Sequence, residues 1–189
     1  MDARVRISIW KIKTRTHIAV AAFPISLSLR SEKGFHATVS CSRRNRTKYS
    51  HLKTLYYQEC YDAAVAAERK NFDEAVLLND WGQLVECSRS NIFIVKDRKI
   101  FTPDIASGCL QGITRAIVMM LARKKRIFCR EAGLGPEELW NADEVFLTNA
   151  VIGVVPLIKV DGRPVASGKA GPLTKRMRSA YRRFRQKGQ

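Results

Sequence analysis

Three kinds of chemically useful residue occur in one order along this chain. Lys53 lies within residues 50–57, Glu86 follows in a segment typical of a strand, and Gly112-Ile113-Thr114-Arg115 precedes a helical pattern. A lysine amine forms a Schiff base with a carbonyl compound, and a helix N-terminus binds phosphate through its free N–H groups. A carboxylate keeps a pyridine nitrogen protonated. The three features together are what pyridoxal phosphate needs from a protein.

The motifs around these residues make the signal more specific, because many of them occur in a single order. Over roughly residues 18–184 they resemble the class IV aminotransferase family, the fold-type-IV pyridoxal phosphate enzymes. That family includes branched-chain aminotransferases, D-amino-acid aminotransferases and aminodeoxychorismate lyases. The matching segments are Glu32-Lys33-Gly34, Ser42-Arg43-Arg44-Asn45, Lys53-Thr54-Leu55, Asp73-Glu74-Ala75-Val76-Leu77-Leu78, Ser90-Asn91-Ile92-Phe93, Gly112-Ile113-Thr114-Arg115, Ala142-Asp143-Glu144-Val145-Phe146 and Asp161-Gly162.

The resemblance implies a role for Lys53, for Glu86 and for the residues at the start of the predicted helix. Lys53 matches the family's catalytic lysine, which binds pyridoxal 5'-phosphate and then moves protons. Glu86 matches the acid that pairs with the pyridinium nitrogen and so keeps the ring electron-withdrawing. Ile113 and Thr114 match the phosphate cradle, where backbone N–H groups and the threonine hydroxyl point at the anion.

Other matches are looser. Asn149 and the backbone N–H of Ala150 lie where the family places a second phosphate-binding turn. Either Tyr56 or Tyr57 is a candidate partner of the cofactor's phenolic oxygen, with core packing as the alternative for both. Arg89 departs from the small residues common at its position, and the sequence leaves open whether it reaches a substrate carboxylate or crowds the ring.

The resemblance also implies a fold: an α+β enzyme like D-amino-acid aminotransferase, with a β-barrel-like core and flanking helices. We expect residues 1–50 to be the remnant of a small N-terminal domain and residues 51–189 to be the large cofactor-binding domain. Much of the small domain, including a phosphate-binding arginine, has no counterpart here, and neither Arg4 nor Arg6 is assigned that role. Family members are usually dimers, so we expect a homodimer.

Two segments favour aminodeoxychorismate lyase within the family. Residues 148–156 resemble the lyase form of their loop, and Lys53-Thr54-Leu55-Tyr56-Tyr57 resembles lyase sequences. The lyase would convert 4-amino-4-deoxychorismate to 4-aminobenzoate and pyruvate for folate synthesis. The alternatives are a branched-chain or D-amino-acid aminotransferase, favoured by residues 161–163 and 171–175, and a non-catalytic relative.

Composition limits the remaining possibilities. The five cysteines are odd in number and have no metal-ligand spacing, which favours reduced thiols in the cytoplasm and no metal site. No apolar run is long enough to cross a membrane. The net charge of +17 favours phosphates, anionic substrates and nonspecific nucleic acid. The resemblance implies that the substrate is small, anionic and amino-acid-like. Nucleic-acid binding is not expected, since the basic clusters lack interleaved aromatic residues.

Hydrophobic periodicity predicts the secondary structure that must position the site. The predicted helices cover residues 55–70, 114–126, 136–140 and 173–184. The predicted strands cover residues 4–10, 17–29, 36–41, 74–79, 84–86, 92–96, 99–101, 145–148 and 157–160.

Overall fold

The computed structural model describes residues 3–25, 33–44, 46–50, 52–55 and 57–187. Its strands are β1 Ala3–Ile12, β2 Arg15–Pro24, β3 Phe35–Arg43, β4 Glu74–Leu78, β5 Leu84–Cys87, β6 Asn91–Lys96, β7 Lys99–Pro103, β8 Cys129–Ala132, β9 Glu144–Asn149, β10 Gly153–Val160 and β11 Arg163–Pro164. Its helices are α1 Gln58–Arg69, α2 Ile113–Lys124, α3 Pro136–Trp140 and α4 Pro172–Lys187, with a 3-10 turn at Ile105–Ser107.

Nine of these strands form one sheet in the order β5-β4-β3-β10-β9-β6-β7-β8, with β11 paired to β10. The β3–β4, β3–β10 and β7–β8 pairs are parallel, and the other pairs are antiparallel. The sheet curls so far that its two ends meet. This contact is seen in the N–H of Leu84 in β5, which donates to the carbonyl of Leu134 just after β8 at 2.8 Å. The expected barrel-like core is therefore confirmed.

The curled sheet has an apolar interior and is covered by helices outside. Interior residues come from strands all around the curve, including Val76, Leu84, Ile92, Leu147 and Leu157. A second apolar cluster joins the outer face of the sheet to α2 and α4, with its members Phe93, Val118, Phe146, Met177 and Tyr181. A third joins α1 to β4. Burial of these side chains fixes where the loops between the strands come together.

The start of α4 is held by one buried carboxylate. Glu144 accepts hydrogen bonds from the N–H groups of Leu173 and Thr174 at 3.0 and 2.7 Å, which satisfies two free donors of the helix. A Cβ at Gly171 would lie 2.1 Å from the Glu144 carboxyl carbon, so this capping contact requires glycine. The cap places α4 against α2, where it supplies Tyr181.

Several predicted boundaries differ from the structure. The helix predicted from residue 55 begins at Gln58, because the backbone of its N-cap residue, Tyr57, is not helical. Tyr61 does not belong to the buried stripe of α1 and is 66% exposed; Ala63 takes the buried position. On α4, Phe184 is 40% exposed, whereas Met177, Ala180 and Tyr181 are buried.

Strand β8 was not predicted, since its two middle residues, Arg130 and Glu131, are polar and exposed, and its pairing partner β7 lies elsewhere in the sequence. The predicted strand 17–29 is observed as far as Pro24, and residues 26–29 lie outside the described residues.

The N-terminal segment forms a separate two-stranded sheet from β1 and β2. β3, which also precedes residue 50, is instead a strand of the large sheet between β4 and β10. The domain boundary at residue 50 stays a prediction. Among the described residues, no helix combines the length and apolar character that crossing a membrane would need.

Candidate functional site

The centre of the site is the carboxylate of Glu86 at the end of β5. Glu86 is 5% exposed, and its Oε1 lies 2.8 Å from the Nε of Arg44, which is equally buried. Its Oε2 accepts from the Leu110 N–H at 3.1 Å and from the Asn91 side-chain amide at 3.3 Å. A carboxylate accepts about four hydrogen bonds, so one further donor fits here.

Burial raises the pKa of Glu86 from its ordinary value to about 7, and the positive charge of Arg44 is the main effect that opposes this rise. The Leu110 N–H and Lys53 lower the pKa further. The burial cost is thus only partly offset, and a cation placed beside Glu86 would favour its ionised form.

Lys53 lies near enough to this carboxylate for its positive charge to lower the pKa of Glu86. Its side chain is exposed, and its Nζ lies 5.0 Å from the ring centroid of Tyr57. The guanidinium carbon of Arg44 lies at the same distance from that ring. Tyr57 donates its hydroxyl to the Leu52 carbonyl at 3.0 Å, and this bond shapes the segment that carries Lys53. The other tyrosine candidate, Tyr56, lies outside the described residues.

The start of α2 lies next to the Glu86 cluster. Gly112 is the N-cap residue of α2, and a Cβ there would lie 2.0 Å from the Asn91 side-chain oxygen. Asn91 donates to both Glu86 and the Leu110 carbonyl, and so links the carboxylate to the approach to the helix. The first N–H groups of a helix have no partner within it. Ile113 is 77% exposed, whereas Thr114 is buried with its hydroxyl 3.4 Å from that of Tyr181.

The turn after β9 approaches the same region. Asn149 accepts from the N–H groups of Val151 and Ile152, both at 2.8 Å, and donates to the Arg89 carbonyl at 3.0 Å. The side chain of Asn149 thus shapes the turn, and Ala150 is exposed at its tip. The preceding residue, Thr148, is fully buried, and its hydroxyl has no hydrogen-bond partner within the described residues.

Hydrogen bonds to Glu74 fix the loop between Glu86 and Asn91. This buried carboxylate accepts from the Ser88 and Ser90 hydroxyls at 2.5 and 2.8 Å and from the Arg89 N–H at 3.2 Å. The Arg89 guanidinium turns to Glu68 of α1, at 2.5 Å, where both side chains are about half exposed.

The sequence analysis did not identify the partners of Glu86. Arg44 and Asn91 were noticed only as members of two segments that match the family, Ser42-Arg43-Arg44-Asn45 and Ser90-Asn91-Ile92-Phe93. The sequence of a basic loop does not show that one of its arginines is buried. Arg44 meets Glu86 because β3 pairs with β4 and β4 pairs with β5. Glu74, which fixes the loop, was missed for the same reason.

The cysteines take no part in this cluster as nucleophiles. Cys87 is a buried core side chain, and burial raises its pKa well above the ordinary value. Burial also raises the pKa of Cys60 to about 11, and its sulfur accepts from Arg44 at 3.2 Å. Within the described part of the chain, no group of His, Cys, Asp and Glu side chains is placed to bind a metal ion.

The chain thus combines an α+β fold around a curled sheet with a buried acid, a nearby lysine and a helix N-terminus. The family model of amino-transferase class IV matches residues 2–160. The chain therefore belongs to the class IV aminotransferase family, and the predicted membership and fold class are confirmed.

Named relatives are similar over most of this chain. It is 35% identical to a probable branched-chain-amino-acid aminotransferase of Aquifex aeolicus, over 87% of this chain and 54% of that protein. The crystal structure of the Escherichia coli branched-chain amino acid aminotransferase superposes with a TM-score of 0.86 at 32% identity, covering 92% of this chain and 59% of the other.

The branched-chain amino acid aminotransferase of Thermobaculum terrenum, solved in its holo form with pyridoxal phosphate, gives a TM-score of 0.80 at 31% identity. It is covered over 56% of its length, and 89% of this chain is covered. The chain thus spans little more than half the length of these relatives. The names of these relatives favour the aminotransferase alternative over the lyase.

Proposed function

We propose that this chain carries the cofactor-binding part of a pyridoxal phosphate-dependent aminotransferase that acts on branched-chain amino acids. The observation that carries the proposal is Glu86, a buried carboxylate with one acceptor position left, beside Lys53 and the start of α2. The names of the similar proteins support this substrate class, and one of them was solved with the cofactor.

The described residues fit the cofactor at two points, its pyridine nitrogen and its phosphate. Glu86 would hold the pyridine nitrogen, because a positive charge there stabilises a buried carboxylate. The N–H groups of Ile113 and Thr114 would hold the phosphate at the positive end of α2. Gly112 supports this fit, since a Cβ there would displace Asn91 from Glu86.

The turn at Asn149 and Ala150 is the candidate for the second phosphate-binding turn. The Asn149 side chain is used to build the turn, so the exposed backbone of Ala150 is the better donor. The Thr148 hydroxyl, buried without a partner at the base of this turn, is a further candidate donor. A buried hydroxyl left unpaired is costly, and a ligand that pairs with it offsets that cost.

When bound, pyridoxal phosphate supplies an electron sink for a bond that breaks at the α-carbon of the substrate. The chain's own residues do the remaining work. Lys53 takes up and returns a proton at Nζ, and its exposure leaves this amine accessible to substrate. Arg44 fixes the orientation of Glu86 and holds its pKa below the value that burial alone would give.

Pyridoxal phosphate binding by visible absorbance, followed by borohydride reduction and peptide mass mapping, tests the cofactor site. We expect the pyridoxyl group on Lys53, and none at this position in Lys53→Ala. Label spread over surface lysines at the same level in both proteins would contradict the assignment. Lys48→Ala is a suitable control, because Lys48 is an exposed lysine that precedes Lys53 in the same loop. This variant should keep the pyridoxyl group on Lys53.

Substrate assays then separate the aminotransferase from the lyase. An aminotransferase converts leucine to its 2-oxo acid only when a second 2-oxo acid is present to accept the amino group. The lyase, which residues 148–156 favour, would release pyruvate and 4-aminobenzoate from 4-amino-4-deoxychorismate without an acceptor. The homodimeric state and the cytoplasmic location stay predictions.

A further inference from the structure

An exposed phenylalanine lies among cations at one end of the large sheet. β8 is the last strand of that sheet, and Phe128, which is 49% exposed, immediately precedes it. The guanidinium carbon of Arg130 lies 5.9 Å from the centroid of the Phe128 ring, and the Nζ of Lys99 lies at the same distance. The ring of Phe101 lies beside it, with the two centroids 6.0 Å apart and the rings tilted by 57°. We call Phe101, Phe128, Lys99 and Arg130 the ring cluster.

The ring cluster lies on one side of β7 and β8. Phe101 is paired with Arg130 in the parallel ladder, and successive side chains of a strand point to opposite faces. The acid of β8, Glu131, therefore points away from the rings, and it pairs with the buried Arg115 at 2.7 Å. The turn before β7, Lys96-Asp97-Arg98-Lys99, is net positive. The side that carries the rings is thus positively charged.

The positive surface continues from the ring cluster onto the helices. Residues 123–130 contain five basic residues and no acidic one, and residues 172–187, which form α4, contain seven basic residues and no acidic one. The two segments touch, because the Arg176 guanidinium donates to the Lys125 carbonyl at 3.5 Å. Three exposed basic side chains around the end of α2 form no ion pair within the described part of the chain, namely Arg123, Lys124 and Arg126. A large part of the net charge of +17 therefore belongs to one connected surface.

We propose that this surface binds single-stranded nucleic acid, with the phosphates along α4 and the end of α2 and a base stacked on Phe128. Proteins that bind single strands without sequence preference combine a positively charged track with exposed aromatic rings. The sequence analysis did not expect nucleic-acid binding, because the basic clusters lacked interleaved aromatic residues. The fold supplies that arrangement, since the pairing of β7 with β8 brings Lys99 and Phe101 to the segment that follows the basic residues 123–126.

The surface is separate from the proposed cofactor site. That site lies at the start of α2, whereas the basic residues 123–126 lie at its end. The helix has 12 residues, so about 18 Å separates the two ends. Binding of a single strand would therefore need neither pyridoxal phosphate nor the aminotransferase reaction, and the inference does not rest on the proposed function.

The ring cluster distinguishes a single strand from other anionic partners. A base stacks on an aromatic ring more strongly than an exposed cation does, so a base can replace Lys99 over Phe128 while the lysine contacts a phosphate. A duplex hides the faces of its bases and would meet only the charges. Insertion of Phe128 into an anionic membrane would take Lys99 and Arg130 out of water together with the ring, which is costly.

Fluorescence anisotropy of a labelled oligodeoxythymidine of about 16 nucleotides, at about 0.1 M salt, tests the proposal. We expect binding that weakens steeply as salt is added, because phosphate contacts release counterions. Phe128→Leu keeps an apolar side chain but removes the ring, so it should weaken binding about tenfold. Tyr61→Leu removes an exposed ring from α1 and is the control; it should change the affinity less than about twofold.

Two further ligands separate stacking from charge. Heparin and a DNA duplex of the same length carry negative charge without accessible base faces, so Phe128→Leu should change their affinities less than about twofold. Arg126→Ala should weaken binding of all three ligands. For the single strand it should also lower the slope of log affinity against log salt by about 0.7. Lys70→Ala, at the exposed C-cap residue of α1, is the control and should leave that slope unchanged.

Phe128→Trp gives a readout that a purely structural role would not move. The oligodeoxythymidine should quench the fluorescence of this variant more than that of the wild type, because a stacked base quenches the new indole. Absence of single-strand binding at about 0.1 M salt, or equal effects of Phe128→Leu and Tyr61→Leu, would overturn the proposal. An equal loss of heparin affinity in Phe128→Leu, or tighter binding to phosphatidylserine vesicles than to the single strand, would overturn it as well.

Discussion

The burial of Glu86 predicts how the stability of the cofactor-free protein depends on pH. Its pKa is raised from 4.5 to about 7 in the folded chain, chiefly by burial. Below pH 4.5 the carboxyl is protonated in both states, and this contribution to stability is fully present. As the pH rises, the unfolded chain loses the proton first, so stability falls until the pH passes about 7. A shift of this size corresponds to about 3 kcal/mol of free energy of unfolding.

Glu86→Gln removes this titration and keeps a side chain of the same shape in contact with Arg44. We expect the free energy of unfolding of the wild type, measured relative to that of Glu86→Gln, to fall by about 3 kcal/mol between about pH 4.5 and pH 7. Urea unfolding of both proteins across this range measures it. Glu137→Gln, an exposed carboxylate on α3, is the matched control and should give a curve parallel to the wild type. Parallel curves for Glu86→Gln as well would refute the reasoning.

Three further substitutions test the site from other sides. Arg44→Met leaves a buried carboxylate without its cation, so it should lower the free energy of unfolding, measured in urea, by about 3–5 kcal/mol at neutral pH and by less in acid. Arg43→Met, at an exposed arginine, is the control and should lower it by about 0.5 kcal/mol or less. Gly112→Ala places a Cβ 2.0 Å from an amide oxygen and should weaken pyridoxal phosphate binding in a spectroscopic titration; Gly133→Ala, whose nearest neighbour is at 3.4 Å, should not. Thr148→Val removes an unpaired buried hydroxyl, so the melting temperature of the cofactor-free protein should stay the same or rise while cofactor affinity falls about tenfold. An unchanged affinity would show that this hydroxyl does not face the cofactor.

The sequence predicted the elements whose patterns are local. The helices α2 and α3, and most strands of the large sheet, were found near their observed positions because apolar periodicity is set by neighbouring residues. The start of α1 was misplaced, since Tyr57 is held by contacts to Leu52 and Arg44 that periodicity does not report. β8 was missed because its place in the sheet depends on a partner strand distant in sequence.

By itself the sequence determined the order of Lys53, Glu86 and the glycine before α2, and with it the family. Only the tertiary structure decided what surrounds Glu86. Arg44 reaches it because β3, β4 and β5 are neighbours, and Leu110 reaches it because the sheet curls and brings the loop before α2 back to β5. The physical reason is that a buried carboxylate is costly unless other groups pair with it. Folding brings those groups within hydrogen-bonding distance, although they are distant in the sequence.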